Sequence, residues 1–433
     1  MNTRASSQNP DASRRRFLAQ VALTAAGGSV ATQTLGALEP GETGETDHFF
    51  YRLADADAPW VDTQRGSRAF AFSEGRIHVS DDNSRTWKHS AAFEDARNIQ
   101  FSSILEDNSI VFATQRRIFH ASPDLNRVEE RTVLDPGGAP YRIHPLRENE
   151  VPGWYFYSLD GIHTFDVNGV GEMLIWGNYC NVRTGPVPVN IYYSTDGGKT
   201  IRTAYRFGQN PAFQYKDTDP EDRTLWVGNP DNPAVCRHIH SVTYNPVENA
   251  FYACTGDIDR KIGVGLECHW LRGTYDPGED AWDWRIIVSS DANSRYKCGG
   301  MNFHEGKIYW VADANGPKTI REVYDRGVFR CAPEDIPDKT KHEVLYPAEY
   351  EIAVMTMHDA TMVIPEYGNA NPCDCGFLFS PDLGKTWGKY DLKELGDRSG
   401  VRVNPPNEDG WYRVSLMKKW VEWGEVLWLK PKS

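Results

Sequence analysis

Short apolar runs rich in Val, Ile, Phe, Tyr and Trp recur along the whole chain, each broken by Gly, Asn, Asp or Pro. Gly75–Ser80, Ser109–Thr114, Gly153–Ser158, Met173–Trp176, Asn190–Tyr193, Ala250–Cys254, Lys307–Ala312 and Val426–Leu429 are of this kind. Brief runs bounded by turn formers predict strands. No long segment carries the 3.6-residue apolar period of an amphipathic helix. The expected fold class is all-β.

One turn repeats. Ser80-Asp-Asp-Asn-Ser-Arg-Thr-Trp87, Ser194-Thr-Asp-Gly-Gly-Lys-Thr-Ile201 and Ser380-Pro-Asp-Leu-Gly-Lys-Thr-Trp387 share a frame of Ser, Asp, Thr and a closing apolar residue, and Ser122-Pro-Asp-Leu125 is a worn copy. An Asp in such a turn accepts hydrogen bonds from turn amides, a Gly takes the left-handed position, and the last side chain packs beneath. The frame resembles the Asp-box of sialidase-like β-propellers, where the box joins the third and fourth strands of a blade. That resemblance implies a seven-bladed β-propeller, with six to eight blades compatible with the spacing. Residues 38–433 divided by seven give roughly 57 per blade, enough for four strands and long loops. Inner strands are expected to start near Ile99, Tyr141, Gly161, His238, Tyr296 and Ile352. Tyr412–Met417 and Glu425–Lys430 are expected to complete the blade begun by Arg68–Lys88, which would tie the two ends of the chain together.

Residues 1–37 are set apart from this pattern. Ser13-Arg14-Arg15-Arg16-Phe17-Leu18 precedes an Ala/Gly-rich, mildly apolar stretch from Ala19 to Ala31, which reads as a twin-arginine export signal cut between Ala31 and Ala37. The rest is then one propeller domain, exported to the periplasm or beyond. No later window has the ~18 unbroken apolar residues of a membrane span.

Composition narrows the function classes. The 433 residues carry 47 Lys+Arg against 60 Asp+Glu, a formal charge of −13, and about −16 once the basic leader is left out. A nucleic-acid binder held by phosphate contacts would show a basic excess. Aromatics make up 12% of the chain and charged residues 25%, which argues against disorder. The 8 cysteines are too dilute for a disulfide framework. They read as buried thiols or one or two bridges. Cys373-Asp-Cys375 is a close pair that could also hold a structural Zn²⁺ with Cys236 or Cys298.

In a propeller, the start of each inner strand and the loop between second and third strands face one end of the central channel. Inner-strand starts supply Gln100, Arg142 with His144, His163, His238 with His240, Lys297 and His358. The loops supply Arg116-Arg117, Asn178-Tyr179 with Arg183, Asp257 with Asp259, Asp313 with Asn315, and Tyr367 with Asn369. Arg142 and His144 share one strand face, as do His238 and His240, because the strand period is two. Such a set suits an acidic sugar. Arg and Lys bind and neutralise a carboxylate, while His and Tyr can be brought into proton-transfer range. Trp176, Trp226, Trp270 and Trp310 are candidates for stacking on sugar rings.

Trp154-Tyr-Phe-Tyr-Ser158, Trp176-Gly-Asn-Tyr179, His238-Ile-His240-Ser-Val-Thr-Tyr-Asn-Pro246 and Thr255-Gly-Asp257 resemble segments of secreted Asp-box propellers. Some of these are polysaccharide lyases of the ulvan lyase and rhamnose–glucuronate lyase type. The resemblance implies β-elimination at a uronic-acid unit. His144, His163, Tyr179 and His240 would be catalytic, and Arg142, Asn178, Arg183, His238, Lys297 and His358 would bind substrate, with Ca²⁺ as a cation that could assist. Tyr141-Arg-Ile-His-Pro145 departs from the Arg-Ile-Pro motif of true sialidases and follows the first box, so sialidase activity is disfavoured. Two other readings stay open. One is a glycoside hydrolase using carboxylates among Asp257, Asp259, Asp313 and Glu366. The other is a glycan-binding propeller without catalysis. The expected partner is an acidic polysaccharide or oligosaccharide met by a monomer.

Overall fold

The computed structural model describes residues 30–39, 41–53, 59–73, 75–87, 89–114, 117–141, 161, 163–179, 189–208, 227–256, 268–290, 294–313, 325–348, 352, 354–366, 376–395, 398–418 and 422–432. Its strands form seven separate sheets, the blades of a propeller, antiparallel except for one added parallel strand in each of two blades. In chain order, the inner strands of blades 1 to 7 are Trp60–Arg65, Phe101–Ile104, His163–Val167, His238–Asn245, Cys298–His304, Thr356–His358 and Arg398–Asn404. Each pairs with the strand after it, so the second strand ends where the inner strand begins; His238 faces Gly256, and Cys298 faces Ala312.

Closure differs from the expectation. Tyr412–Lys418 and Glu422–Pro431 do not complete the blade of Arg68–Ser73. They join Arg398–Asn404 and the N-terminal Phe49–Leu53 in blade 7. Phe49-Phe-Tyr-Arg-Leu53 alternates inward and outward, which places Phe49 and Tyr51 in one core with Leu427, Leu429 and residues of blade 6. Blade 1 has its own inner strand, Trp-Val-Asp-Thr-Gln-Arg at 60–65, whose polar residues line the channel and mask its strand character. Tyr141 lies outside the described strands, 6.5 Å from the Tyr192 ring, and among the described residues the third inner strand begins at His163.

The apolar faces meet between blades. Trp176, Trp270 and Trp310, considered above as sugar platforms, are fully buried. Trp270 and Trp310 meet edge to face at 5.4 Å, the geometry that favours aromatic pairs in a core. Trp226 lies outside the described residues.

The repeated turn links third and fourth strands in blades 1, 3 and 6. Its hydrogen bonds recur at each copy. Ser80 Oγ donates to Asp82 Oδ1 at 2.8 Å, and Asp82 Oδ1 accepts Thr86 N at 2.9 Å. Ser194, Asp196 and Thr200 repeat this at 2.8 and 2.9 Å, and Ser380, Asp382 and Thr386 at 3.1 and 2.8 Å. These bonds hold Asp196 and Asp382 below the usual carboxylate range even though burial opposes it. The worn copy in blade 2 keeps the bond from Ser122 Oγ to Asp124 Oδ1, at 2.7 Å, but that carboxylate accepts from Asn126 N, two residues on rather than four.

The described N-terminal segment packs on the propeller. Thr32–Thr34 adds a parallel strand to blade 6 against Lys389–Asp391, and Leu35 is buried in the core between blades 6 and 7. A chain cut after Ala31 keeps these contacts; one cut after Ala37 loses them. The chain beginning at Leu38 is therefore expected to be less stable than the chain beginning at Thr32 by about 2 kcal/mol, the value of burying one leucine. Denaturant unfolding of the two chains measures the difference, and equal midpoints would remove the structural role given to Leu35.

Candidate functional site

The site is built where blades 3, 4 and 5 meet at the end of the channel marked by the inner-strand starts. Blade 3 contributes Asn178 and Tyr179, which follow its second strand, Gly171–Gly177. Blade 4 contributes His238 and His240 from the first turn of its inner strand, and Gly256 from the end of its second strand. Lys297 precedes Cys298 in blade 5, and Asp313 follows that blade's second strand, Lys307–Ala312.

These residues touch. The Tyr179 ring stacks on the His238 imidazole, with centroids 3.7 Å apart and planes 17° apart. It lies 5.6 Å from the His240 ring, and the two imidazoles are 4.9 Å apart. Behind them, His240 Nδ1 lies 3.1 Å from the Cys298 carbonyl and 3.7 Å from Asp313 Oδ2. Lys297 Nζ stands 3.2 Å from the same carboxylate oxygen. The backbone closes the loop, with Asp313 N donating to Lys297 O at 2.7 Å.

Local sequence explains the arrangement. His240 is the extra residue of a β-bulge, since Ile239 pairs with Thr255 and Ser241 with Cys254. Blade 5 repeats the irregularity between Cys298 and Gly300. Bulges re-aim side chains at strand ends, and here two adjacent blades carry one beside the same cluster. Close approach also demands glycine at 256. A Cβ there would stand 2.9 Å from His240 Cε1 and 3.2 Å from Lys297 Cγ.

The sequence-predicted residues divide into five groups. Tyr179, His238, His240 and Lys297 converge, with only Tyr179 half-buried and the others fully buried. Asn178 adjoins them but serves the frame. Its Oδ1 accepts Asn190 N at 2.7 Å, and its carbonyl accepts Ile239 N at 3.1 Å, tying blade 3 to blade 4. His163 opens the inner strand of blade 3, where it pairs with Ile175, four residues before Tyr179. It is half-buried and borders a channel cavity of ~620 Å³ that also meets Asp62, Gln64, Asn302 and Asn404. His144, Arg142 and Arg183 lie outside the described residues.

His358 is a correction. It closes the inner strand Thr356–His358 and pairs with Thr361 across a tight turn, so it sits at the opposite end of the channel, exposed beside Asp359.

The structure adds Gly256 and two thiols, Cys254 and Cys298, to the cluster, and makes Asp313 its central carboxylate. Asp313 carried a sequence signal as a channel-end loop residue, and Gly256 carried one as part of Thr255-Gly-Asp257. Glu366, another candidate carboxylate, is buried at the end of the second strand of blade 6, with Lys389 Nζ at 3.2 Å; Asp257 and Asp259 lie outside the described residues. Cys236, Cys254, Cys268, Cys298 and Cys331 stand as buried thiols, and Cys373 and Cys375 lie outside the described residues. Among the described residues no group of three His, Cys, Asp or Glu side chains is placed to hold a metal ion, and no helix is long and apolar enough to cross a membrane.

No family model and no curated protein sequence matches the chain. Solved structures are similar at low identity. YCF48 from Cyanidioschyzon merolae shares 13% identity over 88% of this chain and 98% of its own, with a TM-score of 0.45. The extracellular domain of the hybrid two-component system BT4673 from B. thetaiotaomicron shares 7% over 88% of this chain and 42% of its own, with a TM-score of 0.48. The computationally designed Ika8 protein shares 10% over 86% of this chain and 97% of its own, with a TM-score of 0.44. At these values likeness assigns no activity, and function has to be argued from the site.

Proposed function

We propose that the protein is an exported polysaccharide lyase that cleaves a uronic-acid-containing glycan by β-elimination at the mouth of blades 3, 4 and 5. The observation that supports this reading is the stack of Tyr179 on His238, backed by His240 and the Lys297–Asp313 pair. Elimination requires three things of a protein: a group to take the proton beside the carboxylate, a cation to offset that carboxylate, and an acid for the leaving oxygen. Tyr179, the half-buried member of the cluster, gives the proton to the leaving oxygen. His163, half-buried on the channel side of blade 3, takes the proton from C5. Arg142 and Arg183 are assigned to the carboxylate. His238 and His240 are buried and act through Tyr179 as positioning residues, with Asp313 and Lys297 fixing His240 from behind.

Asp313 and Glu366, two carboxylates of the hydrolase reading, are buried beside Lys297 and Lys389, each at 3.2 Å, so neither is presented to a glycosidic oxygen as hydrolysis requires.

The test is the short-wavelength ultraviolet absorbance of the unsaturated uronate formed from uronate polymers. Tyr179→Phe is expected to lower its rate by roughly 10²–10⁴-fold, the range of general acid–base catalysis, with binding retained. New reducing ends without that absorbance would indicate hydrolysis. Retention on the glycan with no product at all would leave a binding propeller.

A further inference from the structure

Two thiols meet across the interface of blades 4 and 5 directly behind the site. Cys254 lies on the second strand of blade 4 and Cys298 opens the inner strand of blade 5. Their sulfurs are 3.1 Å apart, and both residues are completely buried. Cys254 Sγ also lies 3.0 Å from the Cys298 carbonyl oxygen. That same oxygen faces His240 Nδ1 at 3.1 Å. One carbonyl therefore receives a thiol from one side and an imidazole from the other.

We propose that Cys254 and Cys298 are an oxidation site: they close to a disulfide, and the closure resets the carbonyl that holds His240. A disulfide needs sulfurs about 2.05 Å apart, so the two blades have about 1 Å to close. The oxidant is a diffusible disulfide such as oxidised glutathione, which meets the buried sulfurs when the seam between the two blades opens locally. One cysteine attacks it as the thiolate, forming a mixed disulfide and releasing one thiol. The second cysteine attacks the protein-side sulfur, and the second thiol leaves. Two electrons and two protons pass to the reagent in total. Once the bond forms, Cys254 no longer has a proton to donate to the Cys298 carbonyl. The chain at Cys298, already irregular at its bulge, then shifts against His240. An exported protein would meet this chemistry in an oxidising compartment. The proposal does not rest on the lyase reading, because a cross-link is detected without any substrate.

The experiment incubates the full folded chain with oxidised glutathione, blocks remaining thiols after unfolding, and maps peptides without reduction. The expected result is a linked peptide pair carrying Cys254 and Cys298, a rise of several degrees in thermal midpoint, and loss of both in Cys254→Ser and Cys298→Ser. In parallel, the His240 imidazole NMR signal is expected to move on oxidation and return on reduction. Recovery of both cysteines as blocked thiols, or their bridging to other cysteines, would overturn the site. A Cys254–Cys298 bond that leaves the His240 signal unmoved would overturn the coupling. The peptide map and the NMR signal are read on the natural chain, so they decide the matter even if a serine variant fails to fold.

Discussion

Replacing Lys297 alone is expected to destabilise the protein more than replacing Lys297 and Asp313 together. Their side chains are 2% and 8% exposed, with Nζ and Oδ2 3.2 Å apart. Lys297→Met leaves the Asp313 carboxylate buried beside His240 without its ammonium. Breaking a buried pair from one side typically costs about 3–5 kcal/mol, whereas replacing both partners with apolar groups of similar volume is often neutral. Lys297→Met with Asp313→Leu should therefore regain most of the loss in denaturant unfolding. Activity should behave oppositely. Under the proposed function the pair fixes His240, and His240 supports Tyr179, so the double variant should stay impaired by at least tenfold although it is well folded. A double variant with full activity would remove the pair from the site. A double variant no more stable than Lys297→Met would mean that the charge pair is not what holds this region.

Much of the fold was legible because a propeller is written locally. Each repeated turn announces itself through Ser, Asp and Thr, and the hydrogen bonds at 80–86, 194–200 and 380–386 are the ones those side chains favour. The inner strands were harder to read. Trp60–Arg65 presents Asp62 and Gln64 to the channel, where each is hydrogen-bonded: Asp62 accepts from Ser102 at 2.6 Å, and Gln64 donates to the Pro405 carbonyl at 2.6 Å. A strand with a polar inner face does not show as an apolar run, so the closing blade was misjudged.

The site was legible to the extent that topology alone determines it. Antiparallel pairing brings the start of an inner strand and the end of its second strand to one mouth, so Tyr179, His238, His240 and Lys297 follow from strand order. Side-chain depth does not follow. Lys297 reads as an exposed cation for substrate, yet it is buried against Asp313, and Asn178 reads as a sugar ligand, yet it latches two blades. The thiol contact between Cys254 and Cys298 depends on how two blades nest, which no local pattern reports.

Acid should weaken the fold well above the carboxylate range, and His342 is the main reason. Its ring is buried in blade 5, edge-on to Trp310 at 4.9 Å and Tyr296 at 5.7 Å. Nε2 lies 3.0 Å from the Ile336 carbonyl, which can only accept, so Nε2 carries the proton. Burial, with Arg295 nearby, pushes the pKa of His342 down from 6.5 to about 4. Between these values the unfolded chain binds a proton that the folded chain refuses, so stability is fully present above pH 6.5 and falls as pH drops toward 4. A shift of this size corresponds to roughly 3 kcal/mol in full, of which about 2 kcal/mol is lost by pH 5 because protonation of the folded chain begins only nearer pH 4. His342→Phe keeps the ring packing and removes the titration. Urea midpoints taken from pH 7.5 to 5 should fall less steeply in the variant than in the natural chain. Some slope will remain, because burial also lowers His78, helped by Arg76, and His120, helped by Arg131. If the variant falls as steeply as the natural chain, His342 is not the acid-sensitive group, and the two shallower histidines become the ones to replace next.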